Sequence, residues 1–467
     1  MKVVLLNPPL KTMEMLGLEI KIGASQPPLG LCYIAASIRA TGYNVQILDA
    51  EALGLSEIDC ANKIMELGAN ILGITATTAA VHTAARIAEA VKRANPNCLT
   101  ILGGCHVSAL PEITLENFPS IDVAVIGEGE ITLNELLRTI ENNSIFEDVD
   151  GIAYRKNGMI IRTQRRARIH SLDELPMPAW DLLPDPSTHY QVQFHSRLQT
   201  PSFSLVTSRG CVGNCRFCPK AVFGSYVVAH SGERTFEMVK CLREKYGIRS
   251  ILFDEDNLLV PHTRVLKFSD LMINEELDVS WACLTRVDSI PKSVLNKIRK
   301  AGCWQLLFGI ESGSQKILDF IGKRITLDEV RSAINRACDF GLSPKGFFIL
   351  GHPTETHETI KETIEFILEL PLDDITICYF TPFPGCEFAN IASPYGKVTN
   401  DWNKMTLYEP SFIPHGLTEE ELIYYGKQCV KLFYSRKKII DKHLERSNKD
   451  PVSGANIIRY LEKLISQ

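Results

Sequence analysis

The feature that most constrains this chain is an alternation of short apolar runs with amphipathic ones, which occurs twice along its 467 residues. Such an alternation is typical of a parallel β-sheet covered by helices. The chain also exceeds the roughly 100–200 residues that one hydrophobic core usually organises. We therefore predict two α/β domains, which are joined by a linker and followed by a smaller carboxyl-terminal region.

The first alternation covers residues 1–145 and predicts a Rossmann-like, doubly wound domain. Its predicted strands are Lys2–Leu6, Val45–Leu48, Ile71–Ile74, Thr100–Leu102 and Asp122–Ile126, and its predicted helices are Leu29–Ala40, Ala61–Leu67, Ala80–Ala94 and Leu133–Glu141. Ligands of such sheets bind beyond the carboxyl ends of the strands. Neither a G-x-G-x-x-G fingerprint after the first strand nor a Walker phosphate loop is present in the sequence.

Residues 146–200 change character and predict a linker. A hairpin around Asn157-Gly158 precedes LDELPMPAWDLLPD, whose prolines are expected to hold the segment extended over the surface. The second alternation, residues 201–395, predicts a partial (β/α)6 barrel that is open on one side. Its six predicted strands are Ser204–Thr207, Ser250–Phe253, Ser280–Cys283, Gln305–Phe308, Lys345–Leu350 and Asp374–Tyr379. Residues 396–467 predict a mostly helical tail.

The charge and apolar patterning exclude several classes of protein. A net charge of −5 gives no general electrostatic reason to bind nucleic acid. No stretch approaches the roughly 20 uninterrupted apolar residues of a membrane span, and the start lacks the apolar length of a signal peptide. Most of the fourteen cysteines are scattered among apolar neighbours and predict buried thiols rather than disulfides. We expect a cytoplasmic protein.

Three cysteines, Cys211, Cys215 and Cys218, lie close together in TSRGCVGNCRFCPK, just after a predicted strand. Zinc sites built from four cysteines usually come as two separated pairs, and no second pair matches here. A cubane iron–sulfur cluster on three thiolates would leave one iron open to a chelating substrate. A structural zinc site or a loop of buried thiols is the alternative interpretation.

This spacing, with an aromatic residue immediately before the last cysteine, resembles the radical S-adenosylmethionine superfamily. The resemblance implies a [4Fe-4S] cluster on the three cysteines, whose open iron chelates the amino and carboxylate groups of S-adenosylmethionine. The contacts that it implies for S-adenosylmethionine are Phe217, Asp254, Glu255, Arg286, Glu311, Ser312 and Gly351. Within FDEDN, the resemblance does not separate Asp254 and Glu255 strongly from Asp256. His352 is expected to form local hydrogen bonds rather than to act as a general base.

NPP, PPLGLCYIAASIRATGYNVQILDA, ILGGCHVSALPE and AVIGEGE follow one another as in the cobalamin-binding domain of a large branch of these enzymes. The resemblance continues through LDELPMPAWDLL to TPFPG and FYSRKKI, and covers nearly the whole chain. The cobalamin contacts that it implies are Thr75, Thr77, Thr78, Gly103, Gly104, His106, Gly127, Glu128 and Gly129. The D-x-H-x-x-G motif, whose histidine ligates cobalt, is missing, so His106 is expected to support the site rather than to bind cobalt. A structural remnant without corrinoid is the alternative.

The resemblance implies methylation of an unactivated carbon, with hydrogen abstraction by a deoxyadenosyl radical and methyl transfer from methylcobalamin. A radical oxidative cyclase or dehydratase, and a non-catalytic iron–sulfur or corrinoid carrier, are the alternatives. The expected partners are a small-molecule or peptide substrate and a flavodoxin or ferredoxin as electron donor. Cys386 is expected to pack against Phe383 rather than to donate a hydrogen atom. Four aromatic residues either line a substrate pocket or cover the barrel opening: Tyr379, Phe380, Trp402 and Tyr408.

Overall fold

The computed structural model describes residues 1–10, 12–15, 18–21 and 26–447, so the predicted tail beyond 447 lies outside the described residues. The amino-terminal domain and the segment that follows it contain nine strands and eight α-helices in this described part. The strands are β1 (Lys2–Asn7), β2 (Thr12–Met15), β3 (Leu18–Lys21), β4 (Asn44–Asp49), β5 (Ile71–Thr75), β6 (Leu99–Gly103), β7 (Val123–Val125), β8 (Ile152–Lys156) and β9 (Met159–Arg162). The helices are α1 (Leu29–Ala40), α2 (Ala50–Leu53), α3 (Glu57–Glu66), α4 (Val81–Ala94), α5 (Cys105–Ala109), α6 (Pro111–Asn117), α7 (Gly129–Glu141) and α8 (Pro186–His189).

The amino-terminal sheet has seven strands in the order β4-β1-β5-β6-β7-β8-β9. Its first five strands are parallel, while β8 and β9 pair antiparallel at one edge. The predicted Rossmann-like arrangement is therefore confirmed. Helix α3 begins earlier than predicted because Ser56 caps it, with the Asp59 amide donating to Ser56 Oγ at 3.2 Å.

The segment after the hairpin β8–β9 does not run over the surface, so that expectation is wrong. Leu172 and Trp180 are each only 2% exposed, and Tyr190 is 1% exposed. These side chains lie among and on either side of the prolines, and they join the hydrophobic core of the barrel. The Tyr190 hydroxyl also donates to Asp49 Oδ2 at 2.6 Å, which ties the segment to the amino-terminal sheet. Burial of these apolar side chains thus determines where the segment lies.

The second half contains the predicted partial barrel, a six-stranded parallel sheet in the order β10-β13-β14-β15-β16-β17. The strands are β10 (Ser202–Leu205), β11 (Ser208–Arg209), β12 (Val228–Ala229), β13 (Ser250–Phe253), β14 (Ser280–Thr285), β15 (Cys303–Glu311), β16 (Ser343–Leu350) and β17 (Asp374–Tyr379). The helices are α9 (Gly232–Tyr246), α10 (His262–Asn274), α11 (Lys292–Lys300), α12 (Gln315–Phe320), α13 (Leu327–Asp339), α14 (His357–Glu369) and α15 (Phe388–Ile391). Strands β11 and β12 form a separate short hairpin.

The interior of the barrel is only partly filled. Leu252, Ala282 and Leu307 pack there with Val192 and Trp304 as a small apolar cluster, separate from the main core between sheet and helices. Because so few side chains meet inside the barrel, space remains between the strands, and it opens toward the amino-terminal domain.

The described part of the carboxyl-terminal region starts with a hairpin, β18 (Gly396–Val398) and β19 (Phe412–Pro414), and continues with helices α16 (Glu419–Tyr434) and α17 (Lys437–Ser447). The helical prediction therefore holds for Glu419–Tyr434 and Lys437–Ser447, and it is wrong for residues 396–414, where the chain forms the hairpin. Between the two hairpin strands, Trp402 packs its ring against His106 of the amino-terminal domain, with ring centroids 4.5 Å apart. No helix in the residues described here is long and apolar enough to span a membrane.

Candidate active site

The three predicted cluster cysteines lie on the loop between β11 and β12, and all three are half-buried. The loop begins at Gly210, which has φ of +88° and lies so close to the carbonyl of Tyr226 that a Cβ would collide with it. Lys220 Nζ donates to the Gly213 carbonyl at 2.7 Å and to Asn214 Oδ1 at 2.8 Å. These contacts brace the loop, and its Pro219 lines the large cavity described below.

The donor set fits a cluster better than a single metal ion. Among the described residues, no three His, Cys, Asp or Glu side chains close around one ion. A cubane distributes its ligands over different iron atoms, so three half-buried thiols on one loop satisfy three of its corners. A structural zinc site requires four converging ligands, and this loop provides three thiols.

Arg286, which follows β14, borders this loop. A Cβ on Gly213 would lie 3.1 Å from Arg286 Nη1 and 3.3 Å from Cys211 Sγ. The guanidinium and the thiol therefore both lie close to Gly213. Arg286 Nε donates to Asp288 Oδ1 at 3.0 Å, which fixes the plane of the guanidinium. The predicted carboxylate partner in S-adenosylmethionine would thus meet an arginine that is already oriented.

The structure separates the three acids of FDEDN, which the sequence did not. The Glu255 side chain is fully buried and accepts from the Ser208 amide at 2.7 Å and from Arg264 Nη2 at 3.0 Å. Asp254 borders the large cavity described below, accepts from Gln26 Nε2 at 2.6 Å, and has its pKa raised by burial. Asp256 is exposed. Glu255 therefore holds the start of the cluster loop, and only Asp254 faces the cavity.

Glu311 and Ser312 lie at the end of β15, as the sequence predicted. Glu311 has φ of +73°, and its Oε1 accepts from Lys323 Nζ at 2.6 Å in a buried ion pair. Ser312 Oγ lies 3.1 Å from Thr363 Oγ1 on α14. Both side chains therefore have partners within the protein, which fix the carboxyl end of this strand beside the mouth.

Phe217 packs edge-on against His352, the residue after Gly351, with ring centroids 6.2 Å apart. A Cβ on Gly351 itself would lie 3.4 Å from Leu422, so this glycine borders helix α16. The expectation that the His352 ring forms local hydrogen bonds is wrong, because neither ring nitrogen has a hydrogen-bond partner among the described residues. Burial lowers the pKa of His352 to about 3. The imidazole is thus a neutral packing group, while the His352 amide donates to Glu355 Oε2 at 3.0 Å.

A cavity of about 280 Å³ lies at the carboxyl ends of β5, β6 and β7. Six of the nine predicted cobalamin contacts line it: Thr75, Gly103, Gly104, Gly127, Glu128 and Gly129. A Cβ on Gly129 would lie 2.8 Å from Ile34 Cδ1, and one on Gly104 would lie 2.6 Å from the Ala76 carbonyl oxygen. The glycines thus let these segments approach closely around a mainly apolar slot, which fits the nucleotide tail of a corrinoid.

Thr77 and Thr78 line a second, larger cavity of about 1080 Å³ between the two domains, and Cys105 borders both cavities. His106 is fully buried, with Nδ1 3.3 Å from Thr78 Oγ1 and Trp402 packed against its ring. Burial lowers its pKa to about 4. His106 lines neither cavity, which agrees with a supporting position behind Thr78 rather than with cobalt ligation.

Arg209 and Gln26 were not predicted from the sequence. Arg209 Nη1 donates to Glu128 Oε1 at 2.7 Å, and its other terminal nitrogen pairs with Glu130. Glu128 is a predicted cobalamin contact. It is therefore also a buried ion-pair partner of Arg209, which lies on the hairpin that carries the cluster loop. The hydrogen bonds of Arg209 and Gln26 join residues that are 79 or more positions apart in the sequence. No local pattern predicts such contacts.

The aromatic residues of the mouth have distinct positions. Tyr379 and Tyr408 line the large cavity, whereas Phe380 is buried in the core and Trp402 packs on the amino-terminal domain. Cys386 is 3% exposed within the same core and lines neither cavity. The two tyrosines therefore belong to the cavity wall, while Phe380, Trp402 and Cys386 pack against other side chains of the protein.

Comparisons with known proteins agree with this architecture. Residues 16–137 match the B12 binding domain, and residues 205–367 match the radical SAM superfamily. The cobalamin-dependent radical enzyme OxsB, solved with aqua-cobalamin and S-adenosylmethionine bound, shares the fold with a TM-score of 0.75 at 16% identity, over 100% of this chain and 71% of that one. The site and fold thus define a radical S-adenosylmethionine enzyme with a B12 binding domain.

An uncharacterized methyltransferase of Pyrococcus horikoshii is 34% identical over 446 residues, which is 95% of each chain. An anaerobic magnesium-protoporphyrin IX monomethyl ester cyclase of Rubrivivax gelatinosus is 27% identical over 429 residues, or 90% of this chain and 76% of that one. This chain belongs to the cobalamin-binding radical S-adenosylmethionine enzyme family. Its predicted cofactors, a [4Fe-4S] cluster, S-adenosylmethionine and cobalamin, are confirmed with the family.

Proposed function

We propose that this enzyme transfers a methyl group to an unactivated carbon of a small-molecule or peptide substrate. The observation that supports this proposal is a cavity of about 1080 Å³ that residues of both domains line. Thr77 and Thr78 of the amino-terminal domain and Asp254 and Pro219 of the barrel all line it. A methyl donor on one side and a hydrogen-abstracting group on the other would therefore reach the same substrate atom.

When bound, the cluster with S-adenosylmethionine supplies hydrogen abstraction, and cobalamin supplies the methyl group. The chain's own residues orient these groups. Glu255 and Arg264 fix the entry to the cluster loop, and Arg286 is positioned for a carboxylate. Tyr379 and Tyr408 close part of the cavity wall, which limits the access of water to a reactive intermediate.

A radical oxidative cyclase is the second candidate, favoured by the similarity to the magnesium-protoporphyrin cyclase. The two reactions differ in their products. Methyl transfer produces a methylated product together with S-adenosylhomocysteine and deoxyadenosine, whereas cyclisation produces deoxyadenosine without methyl transfer.

The experiment is an anaerobic assay of the protein reconstituted with iron, sulfide and cobalamin, with dithionite as reductant and S-adenosylmethionine as co-substrate. Cleavage to deoxyadenosine is expected, and Cys215→Ala should abolish it. Cys241→Ala, on helix α9 away from the cluster loop, is the matched control and should retain it. Cleavage retained in Cys215→Ala would contradict the assignment of the cluster. In an assay with the substrate added, deoxyadenosine together with a converted but unmethylated product would favour the cyclase.

We further propose that a flavodoxin or ferredoxin delivers the electron in the cytoplasm. Radical cleavage consumes an electron, and the sequence holds no second cysteine cluster to store one. All fourteen cysteines lie in the described part of the chain and none of them forms a disulfide there, which suits a reducing compartment. Replacing dithionite by reduced flavodoxin should support cleavage; failure with both flavodoxin and ferredoxin would contradict this donor class.

A further inference from the structure

A lysine lies at the closed end of the cavity inside the barrel. Lys345 is on β16, only 2% exposed, and lines the large cavity together with Phe347, two residues further along the same face of the strand. Its Nζ has a single hydrogen-bond partner among the described residues, Ser196 Oγ, at the long distance of 3.5 Å. It forms no salt bridge with any carboxylate in the described ranges.

The groups around Lys345 leave this cation incompletely compensated. Asp374, its register partner on β17, stabilises the ammonium by its charge, but no ion pair within 4 Å joins the two, and one carboxylate oxygen of Asp374 accepts from the Tyr434 hydroxyl. The Lys345 Nζ also lies 5.4 Å from the centroid of the Phe347 ring. Arg446 adds a second cation nearby, and its own partners are Ser343 Oγ and Asp373. Burial lowers the pKa of Lys345, because the interior of the protein solvates its charge poorly. A buried ammonium of this kind gains from an anionic partner.

Apolar side chains line the cavity between this lysine and the barrel mouth. Leu252, Leu284, Leu307 and Phe347 form the walls. Strands rise about 3.3 Å per residue, so the path from Lys345 to the end of β16 at Leu350 is about 16 Å long. The cavity therefore has a cationic end, an apolar middle and a mouth beside the cluster loop.

We infer that the substrate is an amphiphile whose carboxylate or phosphate binds Lys345 and whose apolar body extends along the barrel interior. This inference rests on the proposed function, because it uses the barrel mouth as the place of reaction. It identifies the substrate class as an apolar molecule with a terminal anion, and it puts the reacting carbon about 16 Å from that anion.

The test is a binding measurement on the full chain reconstituted with cluster, cobalamin and S-adenosylmethionine. Dodecanoate, dodecyl phosphate and dodecanol are titrated separately, and binding is followed by calorimetry. At least one of the two anions is expected to bind tenfold or more tightly than the alcohol, and the tighter anion identifies which of the two groups the substrate carries. Equal binding of all three probes would overturn the inference.

Lys345→Met should remove the preference for the anion, because it keeps the length of the side chain and deletes the charge. Lys345→Arg should keep a preference, and Lys292→Met, an exposed lysine on α11, is the matched control. If the Met variant fails to fold in a thermal melt, Lys345→Gln replaces it. An unchanged anion preference in the folded neutral variant would overturn the inference.

Cleavage of S-adenosylmethionine by the wild-type chain is measured in parallel, without any amphiphile. Absent cleavage together with a Lys345-dependent anion preference would overturn the proposed function and leave the anion site standing. Normal cleavage without an anion preference would overturn the anion site alone.

Discussion

Arg209, two residues before the first cluster cysteine, donates from Nη1 to Glu128 Oε1 of the amino-terminal domain at 2.7 Å. The Arg209 side chain is 7% exposed and the Glu128 side chain 5% exposed. Glu128 itself lines the slot that fits the corrinoid tail. One buried ion pair therefore ties the hairpin that carries the cluster to the wall of the second cofactor's site.

Removing this arginine should destabilise the protein strongly. Arg209→Met removes the cation that pairs with Glu130 and the nearer of the two cations at Glu128, where only Arg168 remains at 3.8 Å, and breaking a buried pair in this way costs about 3–5 kcal/mol. The free energy of unfolding, measured by urea denaturation, should fall by that amount. Arg39→Met is the control, because it removes an exposed ion pair with Asp181 and should cost less than about 1 kcal/mol. Equal losses in the two variants would contradict the prediction.

The acids of FDEDN should give different phenotypes. We propose Asp254 as a contact of S-adenosylmethionine, and losing a hydrogen bond to a charged group costs about 1.5–3 kcal/mol, or roughly tenfold to a hundredfold in affinity. Asp254→Asn should therefore raise the Kd of S-adenosylmethionine, measured by equilibrium dialysis on the reconstituted protein. Asp256→Asn, at a carboxylate that lines neither cavity, should change it less than about twofold.

Glu255→Gln should act on folding instead. Its carboxylate accepts from the Ser208 amide and pairs with Arg264 in a fully buried environment, so the variant should lower the melting temperature. A weaker affinity for S-adenosylmethionine at unchanged melting temperature would show that Glu255, rather than Asp254, contacts the ligand.

Local patterns predicted the elements of this fold well. Helix Leu29–Ala40 and strands Ser250–Phe253 and Asp374–Tyr379 have the predicted bounds. The spacing of apolar residues within each of these elements is a property of neighbouring residues, so the local sequence is enough to predict the element. The three cysteines could be recognised as a group for the same reason, since one loop carries all of them; their role as cluster ligands stays a prediction.

Contacts between distant segments were not predictable in this way. The partners Arg209 and Glu128 are 81 residues apart, and nothing near either residue signals the other. The proline-rich segment was misjudged because prolines report local backbone stiffness, whereas burial of Trp180 depends on the barrel core. The role of Lys345 likewise depends on which face of β16 meets a cavity.

His106 should not ligate cobalt. Its ring lies between Thr78 and Trp402, fully buried and outside both cavities. The visible absorption spectrum of bound cobalamin should therefore be the same in His106→Gln as in the wild type. A spectral shift, with loss of nitrogen coupling in the electron paramagnetic resonance spectrum of the cobalt(II) form, would contradict this expectation.

Glu355 should make stability depend on pH. It is fully buried, and burial raises the pKa of its carboxyl to about 8, although Oε2 accepts from the amides of Gly351 and His352. In the unfolded chain a glutamate titrates near a pKa of about 4.3. Between these values the native state holds a proton that the unfolded state has lost, so the free energy of unfolding falls as pH rises from 5 to 8.

Glu355→Gln keeps an oxygen acceptor for the two amides and has no proton to lose. Its free energy of unfolding, relative to wild type, should therefore increase from pH 5 to pH 8. Glu369→Gln is the control: Arg331 lowers the pKa of Glu369, so that carboxyl is ionised in both states throughout this window and its variant should run parallel to wild type. If the free energies of unfolding of Glu355→Gln and wild type also ran parallel against pH, the buried carboxyl would be ionised in the native protein and its charge stabilised by the two amides.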